Sequence, residues 1–485
     1  MTDNRPTVVI VGGGASGTLV AAQLLRRYHR RGLRVVIVER EHEIGRGVAY
    51  STPYEYHRLN VVAEQMGAWP RDPRHFVRWA SRRNTGIAIG DFAPRGLYGT
   101  YLGELLDDAE RRAQPEVTLE RVRDEAVEVL TTSERRFAAP GLPPLLVRLR
   151  DGDPIPAERV VLALGNLAPA TPPGADAELI ASGRYEPDPW DPSLSERAAD
   201  DDSVLLLGTG LTMVDVALTL GFETFRPRLH AISRKGLLPR RHRRGVGKPL
   251  RRFGPVDDRP ELNRLVRQVE DEIVATIREG GDWRQAIDSL RPVTNQIWMR
   301  FTDSDRRRFV ERLSRRWDVH RHRMAPAVAS MLGNLRRTGR LQIERASVGS
   351  IRIAGNQLEV ELRREGSDRF QPVRYDRVIN CTGPALDLAS AGDPLIDSLF
   401  ESGLARPGPL RLGIDHDLRG AVIGADGTPS GLLYEIGPVR KGRLWETTAI
   451  PEIRQQAFEL ADILTADLER VGVGGRPGLA VARAV

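Results

Sequence analysis

Apolar residues come in short blocks along this chain, and the blocks change period. Val8–Val11 is a continuous apolar run of strand length, too short for a helix. It runs into Gly12-Gly13-Gly14-Ala15-Ser16-Gly17. Beyond the glycines, apolar positions return at helical spacing through Ala21 and Leu24. A second run, Val35–Val38, then ends in Glu39. The same succession returns at Ser203. Val204–Leu207 leads into Gly208-Thr209-Gly210-Leu211-Thr212-Met213, a helical pattern continues to about Leu220, and Leu229–Ile232 closes the unit. A further pattern also occurs twice. Val160–Leu164 ends at Gly165-Asn166, and Val378–Asn380 ends at Cys381-Thr382-Gly383, each an apolar strand stopped by small residues.

The intervening stretches are read the same way. Residues 73–112 predict helix, interrupted over Phe92–Tyr101. Stretches 117–130 and 144–150 predict strands. Pro169, Pro172, Pro173 and Gly174 mark a linker. Residues 260–335 carry amphipathic helical spacing, and 341–379 alternate with Gly355-Asn356 as a hairpin turn. Pro451 suits the first turn of a last helix with Ile453, Ala457, Leu460 and Leu464 on its apolar face. The Gly-rich tail from Gly472 predicts poor order.

Each glycine of the first unit has a physical task. Gly12 allows a tight turn, Gly14 lets the backbone approach a pyrophosphate, and Gly17 lets helix and strand pack closely. Ala15 and Ser16 lie in the first helical turn, whose unpaired N–H groups and dipole favour phosphate. Glu39 follows Gly17 by 22 residues. A dinucleotide-binding βαβ unit expects a ribose-binding acid at about 20. The second unit keeps Gly208 and Gly210, places Thr212 in the first helical turn, and has Met213 where the third glycine would stand. Its second strand ends in Ser233-Arg234-Lys235 instead of an acid. An arginine there accommodates a 2′-phosphate. The first unit therefore suits FAD or NAD and the second NADP. A loop after a first βαβ unit lies beside the ligand crevice, so Arg46, Tyr50, His57 and Asn60 are expected to line a cofactor.

The duplication predicts an α/β fold with two Rossmann-like dinucleotide-binding domains and a helical insertion. Residues 1–199 form the first part of one domain. Residues 200–380 form the other, with the insertion at about 240–335. Residues 381–485 return to the first.

Composition narrows the chemistry. The chain has 485 residues, 28% of them charged. Its single cysteine, Cys381, excludes an intramolecular disulfide, a Cys-x-x-Cys redox pair and an all-cysteine zinc site. No metal site is expected, because His320 and His322 have no further ligands at suitable spacing. Those histidines and their neighbouring arginines suit either an acidic substrate or a plain helix surface. The net charge is +7, but 65 acidic residues are interspersed with the basic ones. That mixture argues against a nucleic-acid partner. No apolar run approaches the ~20 residues of a membrane helix, so no membrane partner is expected and the cytoplasm is the expected compartment.

As a set, Gly12–Gly17, Gly47-Val48-Ala49-Tyr50-Ser51, His57–Val61, Pro94–Tyr101, Gly208–Asp215, Ile232–Pro239, Asp318–Pro326, Cys381–Pro384 and Ile436–Arg454 make a specific pattern. The chain resembles the FAD–NAD(P)-binding protein family of two-dinucleotide-binding-domain flavoproteins. The resemblance implies a glutathione-reductase-like flavoprotein architecture, with FAD on the first unit and NADPH on the second, NADH being the other donor. Val127, Gly165, Gly383, Gly437 and Glu446 complete the cofactor-binding set. The superfamily's Gly-Asp pair on the flavin ribityl chain corresponds here to Gly437-Pro438, so that contact does not carry over. The Baeyer–Villiger fingerprint is missing. There is a looser similarity to flavin-dependent N-hydroxylating monooxygenases acting on amino acids such as aspartate.

These readings converge on an FAD-dependent oxidoreductase reduced by NADPH. Without a dithiol, the electrons go to molecular oxygen or a small molecule, and a monooxygenase acting on a small molecule is the specific expectation, with N-hydroxylation of an amino acid or amine as one candidate reaction. The competitors are a reductase with another small acceptor and a non-catalytic FAD/NAD(P)-binding sensor. No residue is singled out as catalytic, and the substrate and oligomeric state stay open.

Overall fold

The computed structural model describes residues 5–27, 29–41, 43–132, 143–172, 175–224, 226–243, 253 and 256–471. Pro173, Gly174 and the tail from Gly472 lie outside the described residues. The strands, in chain order, begin with β1 (Thr7–Val11), β2 (Leu33–Glu39), β3 (Val117–Arg123), β4 (Ala126–Thr131), β5 (Leu145–Leu149), β6 (Ile155–Ala157), β7 (Arg159–Leu162) and β8 (Tyr185–Glu186). They continue with β9 (Ser203–Leu207), β10 (Arg228–Ser233), β11 (Leu341–Ala354), β12 (Gln357–Arg364), β13 (Gln371–Tyr375), β14 (Arg377–Asn380), β15 (Ala421–Ile423) and β16 (Pro429–Glu435).

Two large sheets result. The first has the order β15-β16-β7-β1-β2-β3 and the second β13-β12-β11-β10-β9-β14-β8. β1 runs parallel to β2 on one side and β7 on the other. β9 is flanked in the same way by β10 and β14. In each sheet the order therefore reverses beside the strand that feeds the glycine turn. A ligand crevice forms at such a switch point, outside the carboxyl ends of the strands. The architecture is the expected pair of Rossmann-like units. Residues 421–435 return to the first sheet, and β8 joins the second from well ahead of residue 200.

Both central strands are buried on two faces, which is why they read as unbroken apolar runs. On one face of the first sheet, the helix Ala15–Leu25 packs with the last helix, Ile450–Val471. On its other face lie the small antiparallel sheet β4-β5-β6 and the helix Pro394–Glu401. The helices between β10 and β11 run from Leu262 to Arg337. Although they belong to the second unit in sequence, Leu262, Leu290, Ile297, Trp298 and Phe301 share an apolar cluster with Leu412 and Trp445 of the first unit's last segment.

The expected interruption of the helical stretch is present but lies earlier, over residues 83–94, between the helices His75–Arg82 and Arg95–Arg111; the second is continuous through Gly96 and Gly99. A Cβ at Gly96 would stand 2.7 Å from the carbonyl oxygen of Thr52, and one at Gly99 2.7 Å from that of Tyr50. Those glycines let the helix press against the loop that follows the first βαβ unit.

Candidate functional site

The two glycine turns are built alike. Gly12 has φ +105° and Gly208 φ +117°, conformations open mainly to glycine. A Cβ at Gly12 would stand 2.4 Å from the Ala163 carbonyl oxygen, and one at Gly208 2.3 Å from that of Cys381. Each glycine N–H donates back to the neighbouring strand, Gly12 to Val38 and Gly208 to Ile232, both at 2.8 Å. The recurring small-residue strand ends are thus the walls against which the turns rest. Gly165 and Gly383 follow those walls, with φ of +68° and +88°. Gly14 and Gly210 precede the first helical residue of each unit, and a Cβ at Gly210 would meet nothing within 4 Å. The empty approach at Gly210 and the side-chain-free approach at Gly14, where a Cβ would come 3.7 Å from Gly47, lie at helix N-termini and fit the pyrophosphates of dinucleotides.

The third position differs. A Cβ at Gly17 would fall 1.9 Å from the Gly12 carbonyl oxygen, so glycine is obligatory there. Met213, by contrast, is fully buried in the second unit's core and fills the space that closer packing would have removed. At the ends of the second strands, Glu39 accepts from the Gly13 N–H at 2.8 Å. Ser233 accepts from the Gly236 N–H at 3.0 Å and bonds Thr209 at 2.8 Å, while Arg234 is exposed.

The loop after β2 divides into two roles. Gly47 comes against Gly14, Arg46 pairs with Glu43 at 2.7 Å, and Tyr50 packs edge-on to Tyr98. His57 turns instead toward the second unit. Its Nε2 donates to the Asp215 carbonyl at 3.2 Å, and its Nδ1 accepts from the Thr52 hydroxyl at 2.7 Å. Burial lowers its pKa, which keeps the ring neutral. Beside it, Arg95 and Asp215 form an ion pair of 2.6 Å with Asp215 only 4% exposed. Asn60 presents its carbonyl to His242 at 3.0 Å. Val127 sits at a register irregularity of β4. The seam between the units was not legible in the sequence: His57 was expected at the cofactor, and the surroundings of Arg95 and Asp215 give no sign of a buried pair.

The segment leading into the last helix closes the first crevice. Gly437 has φ +84°, and a Cβ there would stand 2.6 Å from the Ser16 hydroxyl oxygen. Its N–H donates to Gln456 at 3.1 Å, and its carbonyl accepts from Thr447 at 2.8 Å. Asn295, from the insertion, clasps the backbone of Glu446 in both directions at 2.8 Å. The Glu446 carboxylate pairs with Arg321 at 3.0 Å, both buried. Arg323 pairs with Asp288. His322 is pushed down to about 4 by burial and then by the charge of Arg321, and His320 bonds the Arg316 carbonyl at 2.7 Å. Within the turn 320–323 it is therefore Arg321 that joins the insertion to the crevice segment, while Arg323 and His320 bond within the insertion. Of the basic run after Arg240, Arg244, Lys248, Arg251 and Arg252 lie outside the described residues. Among the described residues no three His, Cys, Asp or Glu side chains gather as metal ligands, and no helix is long and apolar enough to cross a membrane.

Residues 9–167 match the FAD-NAD(P)-binding family model. This FAD-NAD(P)-binding region spans the first glycine turn, the loop, and the β7 wall with Gly165, which agrees with FAD and NAD(P)H as cofactors. The whole fold is similar to those of several solved structures. Ornithine hydroxylase from Pseudomonas aeruginosa, in reduced form, superposes with TM-score 0.61 at 15% identity, covering 96% of this chain and 100% of that one. The FAD-bound cadaverine monooxygenase of the desferrioxamine pathway from Erwinia amylovora gives TM-score 0.60 at 13% identity, covering 98% and 99%. Ornithine N-hydroxylase from Kutzneria sp. 744, with reduced FAD, NADP+ and L-ornithine, gives 0.57 at 15% identity, covering 96% and 100%. No curated protein matches the chain.

Proposed function

We propose that the chain is an FAD-dependent monooxygenase, reduced by NADPH, that N-hydroxylates a small amine or amino acid in a reducing compartment. The observation that carries this reading is the pair of matched glycine cradles, joined through Arg95–Asp215 and His57, in a fold shared end to end with amine and amino-acid hydroxylases. Bound FAD and NADPH would supply the hydride transfer and oxygen chemistry.

The chain's own residues would position them. Gly12, Gly14, Ala15, Ser16 and Gly17 would hold the FAD pyrophosphate, and Glu39 its ribose. Gly208, Gly210 and Thr212 would hold the second pyrophosphate, and Arg234 the 2′-phosphate. The last helix begins at Ile450, and its N-terminal N–H groups would favour negative charge on the reduced flavin. Gln456, Thr447 and Asn295 fix the segment that precedes it.

The deciding experiment is anaerobic titration of the FAD-loaded protein with NADPH, followed by admission of air with candidate amines. Bleaching of the visible flavin band, then hydroxylamine product tied to NADPH consumption, supports the reading. Bleaching without hydroxylamine from any amine would point to a reductase. A yellow protein that no nicotinamide bleaches would point to a binding protein.

A further inference from the structure

The end of β10 meets the helical insertion, and the meeting gathers cations. Lys235 Nζ donates to the Arg312 carbonyl at 2.8 Å. Arg312 lies in the helical turn Phe309–Leu313, which runs into the helix Ser314–Arg321, so Arg315 and Arg316 begin the next turn. From the other side, Arg345 on β11 donates to the Arg234 carbonyl at 3.0 Å. Of these side chains, Arg345 is neutralised by Glu365, and Arg315 reaches Asp318 only at 4.0 Å. Arg234, Lys235, Arg312 and Arg316 have no carboxylate partner among the described residues.

Unpaired like charges held together raise the energy of the empty site and are relieved by an anion. Lys235 registers the crowding. Burial lowers its pKa first, and then come the charges of Arg316, Arg234, Arg315 and Arg345. The cluster also sits where a 2′-phosphate belongs, at the end of the second strand of a dinucleotide unit. A strand-end arginine alone is one contact. Here the insertion brings a second wall.

We infer that Lys235 and Arg316, the latter supplied by the helical insertion, form with Arg234 a two-walled site for the 2′-phosphate of NADPH and decide its selection over NADH. The inference rests on reading the second unit as the NADP(H) site. It gives the insertion a task beyond closing the flavin crevice: it reads the coenzyme.

The test compares adenosine 2′,5′-bisphosphate with adenosine 5′-monophosphate by titration calorimetry on the full FAD-loaded chain. Neither probe can transfer hydride, so binding is read apart from activity. Wild type is expected to prefer the bisphosphate. Arg316→Glu and Lys235→Glu should each erode that preference about tenfold, the worth of one charge-assisted hydrogen bond, with monophosphate affinity unchanged. Arg316→Gln should erode it less. Arg112→Glu, a charge reversal on the first domain's surface, should leave both affinities as they were. Preference intact in the Arg316 and Lys235 variants overturns the two-walled site while leaving Arg234 in place. No preference in wild type overturns the NADP reading of the second unit itself.

Discussion

The first and second dinucleotide units solve one backbone problem identically and two others differently. Both need glycine at the turn, because the carbonyl of Ala163 or of Cys381 stands within 2.4 Å of any Cβ placed at Gly12 or Gly208. Only the first needs glycine at the third position. There the helix lies against its own turn, whereas in the second unit Met213 fills the interval. At the end of the second strand, one unit presents a carboxylate tied to its glycine loop and the other an exposed arginine among cations. The turn is thus dictated by where the neighbouring strand ends. Helix packing is open to compensation, and charge is what distinguishes one dinucleotide from another.

The shared turn is the place to break the comparison hardest. Gly12→Ala and Gly208→Ala should each cost at least about 4 kcal/mol, since a Cβ there meets backbone and not a side chain that can move. The symmetry predicts equal damage, read as thermal unfolding of each variant with flavin content measured alongside. A mild Gly208→Ala would show that only the first turn is rigid.

The seam comes next. Arg95→Ala leaves Asp215 buried without its partner and should cost about 3 kcal/mol. Arg95→Leu with Asp215→Leu should recover most of that loss if the pair only joins the units. Recovery of stability without recovery of NADPH-driven bleaching would give the seam a part in aligning the two cradles. His242 gives a smaller, pH-dependent effect at the same boundary. Its pKa falls from 6.5 to about 4 through burial and then the charge of Arg323. Between those values the unfolded chain binds the extra proton, so stability rises with pH and is complete above 6.5. At pH 5 the loss should be about 2 kcal/mol. His242→Gln, which can still donate to the Asn60 carbonyl, should flatten denaturant midpoints measured across that window.

Much of this was visible in the residues alone. Apolar run, glycine spacing and a terminal acid or arginine are local signals, and the pair of Rossmann-like units followed from them. The repeated small-residue strand ends also proved to have a shared cause, since they are the walls of the two turns. What stayed hidden is what long-range packing decides. The interruption expected over Phe92–Tyr101 runs past the true helix start at Arg95, because sequence shows what glycine costs a helix, not which loop leans on Gly96 and Gly99. Asn295 looked like an ordinary helix residue and Arg321 like either a substrate contact or a helix surface, and only the fold sets them on Glu446, about 150 and 125 positions away. His57 was singled out for the flavin face, yet its ring nitrogens are occupied by Thr52 and the second unit.

The subtlest difference between the units lies at the middle glycine. A Cβ at Gly14 would come 3.7 Å from Gly47, while one at Gly210 meets nothing within 4 Å. Gly210 also has φ −83°, which alanine adopts without strain. Gly210→Ala should therefore leave stability within about 0.5 kcal/mol of wild type. If the vacant space is kept for a pyrophosphate, the same methyl should weaken NADPH binding by about tenfold or more, because backbone N–H groups can no longer close on the phosphate. Unchanged melting with raised NADPH dissociation constant would separate a glycine retained for the ligand from the neighbouring Gly208, retained for the fold. Unchanged binding would place the dinucleotide elsewhere along the crevice.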